Sequence, residues 1–509
     1  MSDTPASVGA SRVPSLHTSL EKSRPASAKE EKVDIGNGPL HPVTTVGELH
    51  RDMSIRTLLM LGIGGGVGTA LFVSIGGPLN AAGPANLFLG FVVYNVFVLA
   101  NINNSIAEMT TYMPISGSFI RLAGHWVDDA LGFAGGWNFY IYLGLIVPFE
   151  VTALSFVLSF WSPHIPTAAI CAACFILYII INIFAVRIYG AAEFSLCSGK
   201  ALLLVILMVF TLVTMCGGNP EHDAFGFRHW NDPAPFLEHF STGSAGKFEG
   251  FLTALWSASF TCVGPEYLSV AASEVKHPRT YVKKAYKALY ARILIFFIGG
   301  CLAVTINVSP NDPVLNTLYK HGSSGHGSAA ASPHIIAMQN LGVSVLPHVG
   351  SGTANVLTWL INLATGGTLI YYITALITYI RFHRACQVQG FDRDKLPYKG
   401  WFQPYSAWMA LIFELFIVVF YGYRSLVPFD VAGFVTCYFM PALVPCLYVA
   451  WKLIHKTSFV RAKDIDLVWD APIIDAYEAS LEEAPVGFWR DVWLMLRGKG
   501  PKGHQTSEA

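Results

Sequence analysis

Five glycines occupy seven positions of Leu61-Gly62-Ile63-Gly64-Gly65-Gly66-Val67-Gly68-Thr69-Ala70, in the middle of an apolar stretch that should be a regular helix. Each glycine costs about 1 kcal/mol against alanine in a helix interior, so the cluster needs a purpose. Gly62/Gly66 and Gly64/Gly68 have the spacing for close helix packing. The alternative is a discontinuous helix whose bare N–H groups and positive half-helix end receive an anion such as a carboxylate. The two readings are compatible, because only glycine lets a ligand approach the backbone this closely. A second interruption stands at Val263-Gly264-Pro265-Glu266, where a helix-breaking proline adjoins a carboxylate. A charge at that depth costs roughly 2.5–3.5 kcal/mol on insertion scales. Glu266 must therefore face a cavity or a partner, as a functional acid or as a structural bond across the break.

Other charges enter apolar stretches. Glu150 follows Pro148, Lys200 sits early in its stretch, and Glu414 lies within 405–424. A buried lysine exchanges protons near neutrality and can stand in for a bound sodium ion as the coupling charge. Lys200 has that reading and, with equal weight, the reading of a side chain that snorkels to the interface. Glu150 either meets substrate or satisfies a kinked backbone, and Glu108 reads as a packing or gating residue. No nucleophile stands beside a histidine base and no phosphate loop follows a strand, so no catalytic residue is assigned and an enzyme is not expected. The histidines do not pair at metal-ligand spacing and Cys171 and Cys174 are one turn apart in a span. Neither a metal site, a disulfide framework nor a cofactor is expected.

These residues need membrane-crossing elements to carry them. The 509 residues are 53% apolar and 13% charged, against about a quarter charged in soluble chains. Lysine plus arginine equals aspartate plus glutamate at 33 each, leaving no net basic charge to hold nucleic acid. Ten apolar segments approach the roughly 20 residues that span a bilayer core: 57–78, 86–110, 131–160, 166–186, 194–216, 250–272, 288–308, 353–380, 405–424 and 430–453. Pro148 offers a kink in the third. No cleaved signal peptide is expected. Residues 1–50 read as a disordered cytosolic tail, 51–455 as the transmembrane domain and 456–509 as a cytosolic tail, whose piece from Phe488 to Leu496 could lie on the membrane surface. Loop 274–292 carries six Lys/Arg and loop 381–399 five, so both should be cytosolic. Loops 217–249 and 309–352 are poor in both residues and should face away. An even number of spans with both tails inside satisfies all four.

The order of several motifs resembles the fungal amino-acid permeases of the amino acid-polyamine-organocation superfamily, from about residue 50 to 455. They are Gly65-Gly66-Val67-Gly68-Thr69-Ala70-Leu71-Phe72, Glu108-Met109 through Pro114-Ile115-Ser116-Gly117-Ser118-Phe119, and Ala130-Leu131-Gly132-Phe133-Ala134-Gly135-Gly136-Trp137-Asn138. Val186-Arg187-Ile188-Tyr189-Gly190, Thr378-Tyr379-Ile380-Arg381-Phe382, Leu396-Pro397-Tyr398 and Phe402-Gln403-Pro404-Tyr405 follow. The resemblance implies an all-helical, five-plus-five inverted repeat with two further helices and discontinuous helices one and six. It implies proton-driven import of amino acids across the plasma membrane. By position, Gly66, Gly68, Thr69 and Ala70 would meet the substrate carboxylate, and Val263, Gly264 and Glu266 would line the amine side and gate. Lys200 would match the family's proton-coupling lysine, with Glu150 a second candidate. Ala70 departs from the usual glycine and narrows the room above the carboxylate.

The family carries twelve spans. Here Val343-Ser344-Val345-Leu346-Pro347, similar to the lead-in to helix eight, runs within ten residues into Asn355-Val356-Leu357-Thr358-Trp359, similar to helix ten. Helices eight and nine are therefore expected to be absent, through a gene-model artefact, a natural variant or a transport-deficient relative. The function expected is a proton-coupled amino-acid permease working by alternating access, its partners being substrate, protons, the bilayer and regulators of the tails. An amino-acid sensor and a polyamine or carnitine permease are the alternatives.

Overall fold

The computed structural model describes residues 51, 53–159, 166–184, 186–319, 332–341, 354–426, 429–481 and 484–496. The expected tail at 1–50 lies outside them, as does the expected junction at 343–359 up to residue 353. Among the described residues the structure is helical, with two isolated bridges in place of strands. Among the described residues eight helices are long and apolar enough to cross a membrane. The other two expected spans are the apolar helix Thr167–Phe184 and the pair Gly243–Thr261 and Pro265–Ala271.

The first span starts where the Ser54 hydroxyl accepts the Thr57 amide. It runs as α-helix over Ile55–Met60, widens to a π-helix over Leu61–Gly65, leaves the helix at Gly66 and resumes at Thr69. The span is discontinuous at its glycines, and the same glycines pack closely. A Cβ on Gly64 would press into the backbone of Cys197, and one on Gly62 would meet Leu268 at 3.3 Å, so the cluster also brings the fifth and sixth spans close. The third span continues unbroken from Asp129 to Ser159 with Pro148 inside it. The sixth span is broken, between Thr261 and Pro265.

The seventh span differs from expectation. It was placed at 288–308 and instead begins at Pro278, a residue whose fixed φ and missing N–H suit a first helical turn, and reaches Asn307. Its basic residues read as a loop in the sequence because charge density masks amphipathicity. Tyr281, Ala285, Leu289 and Arg292 fall on one buried face, while Lys284 and Lys287 point outward. Arg381 and Arg384 likewise belong to a helix, Ala354–Val388, rather than to a loop.

The 456–496 segment is no free tail. The Tyr112 hydroxyl donates to the Leu467 carbonyl at 2.6 Å, the Arg279 amide to Glu478 at 2.9 Å, and Gln389 to the Ile465 carbonyl at 2.7 Å. The helix Phe488–Leu496 docks through Asp491 on Arg56, its Trp489 remaining exposed. This strap gathers the start of spans one and seven and the end of spans two and eight on one face. Opposite it, the Leu237 amide bonds the Ala82 carbonyl and Asn80 bonds the Pro310 carbonyl. The two loops poor in lysine and arginine thus share the other face. The buried core lies among spans one, two, six, seven and eight. Apolar side chains of spans four and five, among them Phe175, Ile183, Leu202 and Leu212, are exposed, as a lipid-facing surface requires.

Candidate functional site

The two breaks meet. A Cβ on Gly66 would stand 2.5 Å from the Val263 carbonyl oxygen, so only glycine allows the first break to lie against the second. Gly264 has φ of +145°, a region closed to side-chain-bearing residues, and Pro265 then starts the second half of the sixth span. Glu266, in that half-helix's first turn, is wholly buried. Its Oε2 accepts the Gly264 amide at 2.9 Å and the Tyr372 hydroxyl at 2.8 Å. The structural bond across the break therefore exists. It uses one oxygen only: Oε1 is buried without a hydrogen-bond partner among the described residues, a costly state that invites a donor.

At the first break, Glu150 reaches across from the third span. Its Oε2 accepts the Thr69 hydroxyl at 2.7 Å, and its Oε1 lies 3.6 Å from where a Gly68 Cβ would be. Glu150 thus meets the first break at Thr69 and Gly68. Gly68, Thr69, Glu150, Val263 and Tyr267 are half-buried, whereas Gly66, Gly264 and Glu266 are buried. The second half of the first span starts at Thr69, and the first-turn N–H groups of a helix have no partner within it. A carboxylate there would find donors and a positive helix end. Tyr142 and Tyr267 close one side with hydroxyls 3.4 Å apart.

The expected residues do not all converge. Ala70 packs in an apolar cluster with Tyr142, Phe149, Phe260 and Ala364. Val263 spends its carbonyl on a cation, described next. Lys200 is exposed, one turn past Cys197 on the fifth span, the residue that a Cβ on Gly64 would meet. Glu414 is buried in the ninth span, accepting the Tyr94 hydroxyl at 3.0 Å.

Two residues escaped the sequence reading. Arg292, counted there as a loop charge, lies inside the seventh span and is 2% exposed. Its Nη1 donates to the Gly62 carbonyl at 2.9 Å and its Nη2 to the Val263 carbonyl. The signal was present: Arg292 continues the stripe of Tyr281, Ala285 and Leu289 at steps of four, four and three. Arg393 is the other. Its Nε and Nη2 each donate at 2.8 Å to buried Glu108, which also accepts the Tyr379 hydroxyl at 2.9 Å and the Gly400 amide at 2.7 Å. Burial alone would weaken proton binding by the Arg393 guanidinium, but the Tyr379 and Glu108 oxygens overcome it and hold the guanidinium above its ordinary value. Glu108 is thus a clamp between the second span, the eighth span and the segment that follows it.

The amino acid permease family profile matches residues 57–351 and 349–463. The chain is 34% identical to the general amino acid permease AGP2 of Saccharomyces cerevisiae, covering 85% of this chain and 84% of that protein. It is 30% identical to the proline-specific permease of Emericella nidulans, over 94% of this chain and 98% of that one, and 30% identical to the dicarboxylic amino acid permease of Saccharomyces cerevisiae, over 84% and 81%. The first alignment runs over 505 positions but uses 85% of 509 residues, about 433, so about 70 positions of that relative have no counterpart here. The two stretches of the family match meet at 349–351.

Proposed function

The chain belongs to the amino acid permease family, and from that premise we propose that it is a proton-coupled importer of amino acids working by alternating access around the two breaks. The observation that carries this reading is the contact between Gly66 and Val263, which sets two half-helix ends side by side. Beside them lie a half-buried Glu150–Thr69 pair and a buried carboxylate with one unpartnered oxygen. The substrate carboxylate takes the N–H groups that open at Gly68, Thr69 and Ala70, and the substrate amine takes Glu266 Oε1. Of the two proton-coupling candidates, Glu150 is supported by its contact with Thr69. The exposure of Lys200 supports the snorkelling alternative. The relatives' names span general, proline and dicarboxylic cargo, so the choice among amino acids is a matter for competition with a full panel.

The protein is placed in the plasma membrane with the basic face and strap cytosolic. Absence of the family's helices eight and nine is part of the same proposal, and it would leave the inverted repeat incomplete. The break in the family match at 349–351 and the roughly 70 unmatched positions support that shortening. Loss of two spans keeps the sidedness of everything downstream, in accord with the strap's hold on both the first and eighth spans.

Uptake of labelled amino acids in a permease-deficient host is expected to be several-fold faster at about pH 5 than at about pH 7 and to collapse with a protonophore, since a proton falling through 100 mV releases about 2.3 kcal/mol. Uptake indifferent to the protonophore would end the coupling part of the proposal. A host that gains no uptake of any amino acid would end the transport part.

A further inference from the structure

A helix that stops inside a membrane leaves carbonyls its own chain cannot satisfy, and they form the negative end of its dipole. Two such ends meet here, at Gly62 in the last turn of the first half of span one and at Val263 in the break of span six. In transporters built on broken helices, carbonyl ends of this kind collect monovalent cations. In this chain both carbonyls are held by one side chain, Arg292 of the seventh span. A Cβ on either Gly66 or Gly264 would overlap its guanidinium, so both breaks are shaped around it. Phe297 lies beneath the guanidinium, with Cζ 4.9 Å from the ring centroid. Glu266 is the carboxylate within electrostatic reach, and the side chain is buried inside the bundle.

We propose that Arg292 is a tethered cation: a positioning residue that fills the carbonyl cage between the breaks, in the place an inorganic monovalent cation would take, and so frees uptake from any need for sodium. This inference rests on the transport reading of the same site.

The test replaces sodium by choline around cells expressing the protein, and then removes the guanidinium. Wild-type uptake is expected to be the same in both media. Arg292→Ala, at unchanged surface abundance, is expected to lose about tenfold or more, the worth of one charged hydrogen bond or two, and to regain a substantial part with millimolar guanidinium or sodium. Arg292→Lys should fall between. Three results overturn the proposal: wild-type uptake that requires sodium, Arg292→Ala uptake close to wild type, or an Arg292→Ala protein at the surface that no small cation restores. Should Arg292→Ala stay off the surface, the melting temperature of the purified variant decides. Millimolar guanidinium raises it and leaves the wild type unmoved if the cage is vacated, and an equal response of both overturns the inference. If the wild type carries nothing in any medium the transport reading fails, and the melting comparison still judges the cage.

Discussion

Gly264→Ala is expected to abolish uptake, by about a hundredfold or more. A non-glycine residue held at φ of +145° costs about 1–3 kcal/mol of backbone strain. Its methyl group would also occupy the volume of the Arg292 guanidinium, so either the arginine leaves its two carbonyls or the break closes up. Each 1.4 kcal/mol is about a factor of ten, and the two effects together exceed twice that. Gly144→Ala, in the third span, is the matched control: its added methyl meets nothing within 4 Å, and uptake should stay at the wild-type level. Radiolabelled uptake corrected for surface protein measures both. Equal uptake by the two variants would mean that the sixth-span break does not shape the site.

The second large effect is expected at Glu108. Glu108→Ala leaves Arg393, 14% exposed, facing a gap where a bidentate carboxylate stood. Removing one partner of a buried pair typically costs about 3–5 kcal/mol, much of it from the stranded charge. The variant should melt well below the wild type in detergent and reach the surface poorly. Arg393→Ala should also destabilise, since Glu108 would keep only the Tyr379 and Gly400 bonds. The double variant should cost less than the two single losses added together, the signature of coupled residues. Additive losses would show that the clamp is not a unit.

The breaks at Gly66 and Gly264 were legible in the sequence because glycine and proline in a span are expensive and therefore informative. Glu266 was legible as an intruding charge. Its bond to Tyr372 was not, because that residue lies 106 positions away. Glu150 reads either as a substrate contact or as a partner of the kinked backbone, and the Thr69 hydroxyl that it accepts is 81 positions upstream. Counting Lys and Arg by loop placed the faces together correctly yet hid Arg292, since a cation at the end of a buried stripe looks like any other in a basic run. The strap was illegible for a different reason. Asp475 and Asp491 look like solvated tail charges until Arg279 and Arg56 are brought to them by the fold.

Under the proposed function, main-chain N–H groups at the first-span break grip the carboxylate of a zwitterion. This grip is tested most directly with the purified protein in lipid nanodiscs, by displacing whichever labelled amino acid binds with the parent compound, its amide and its decarboxylated amine. Loss of the carboxylate is expected to weaken displacement by about a hundredfold, as for a group held by charge-assisted bonds at a helix N-terminus. An amine that displaces the label as well as its parent amino acid would contradict it.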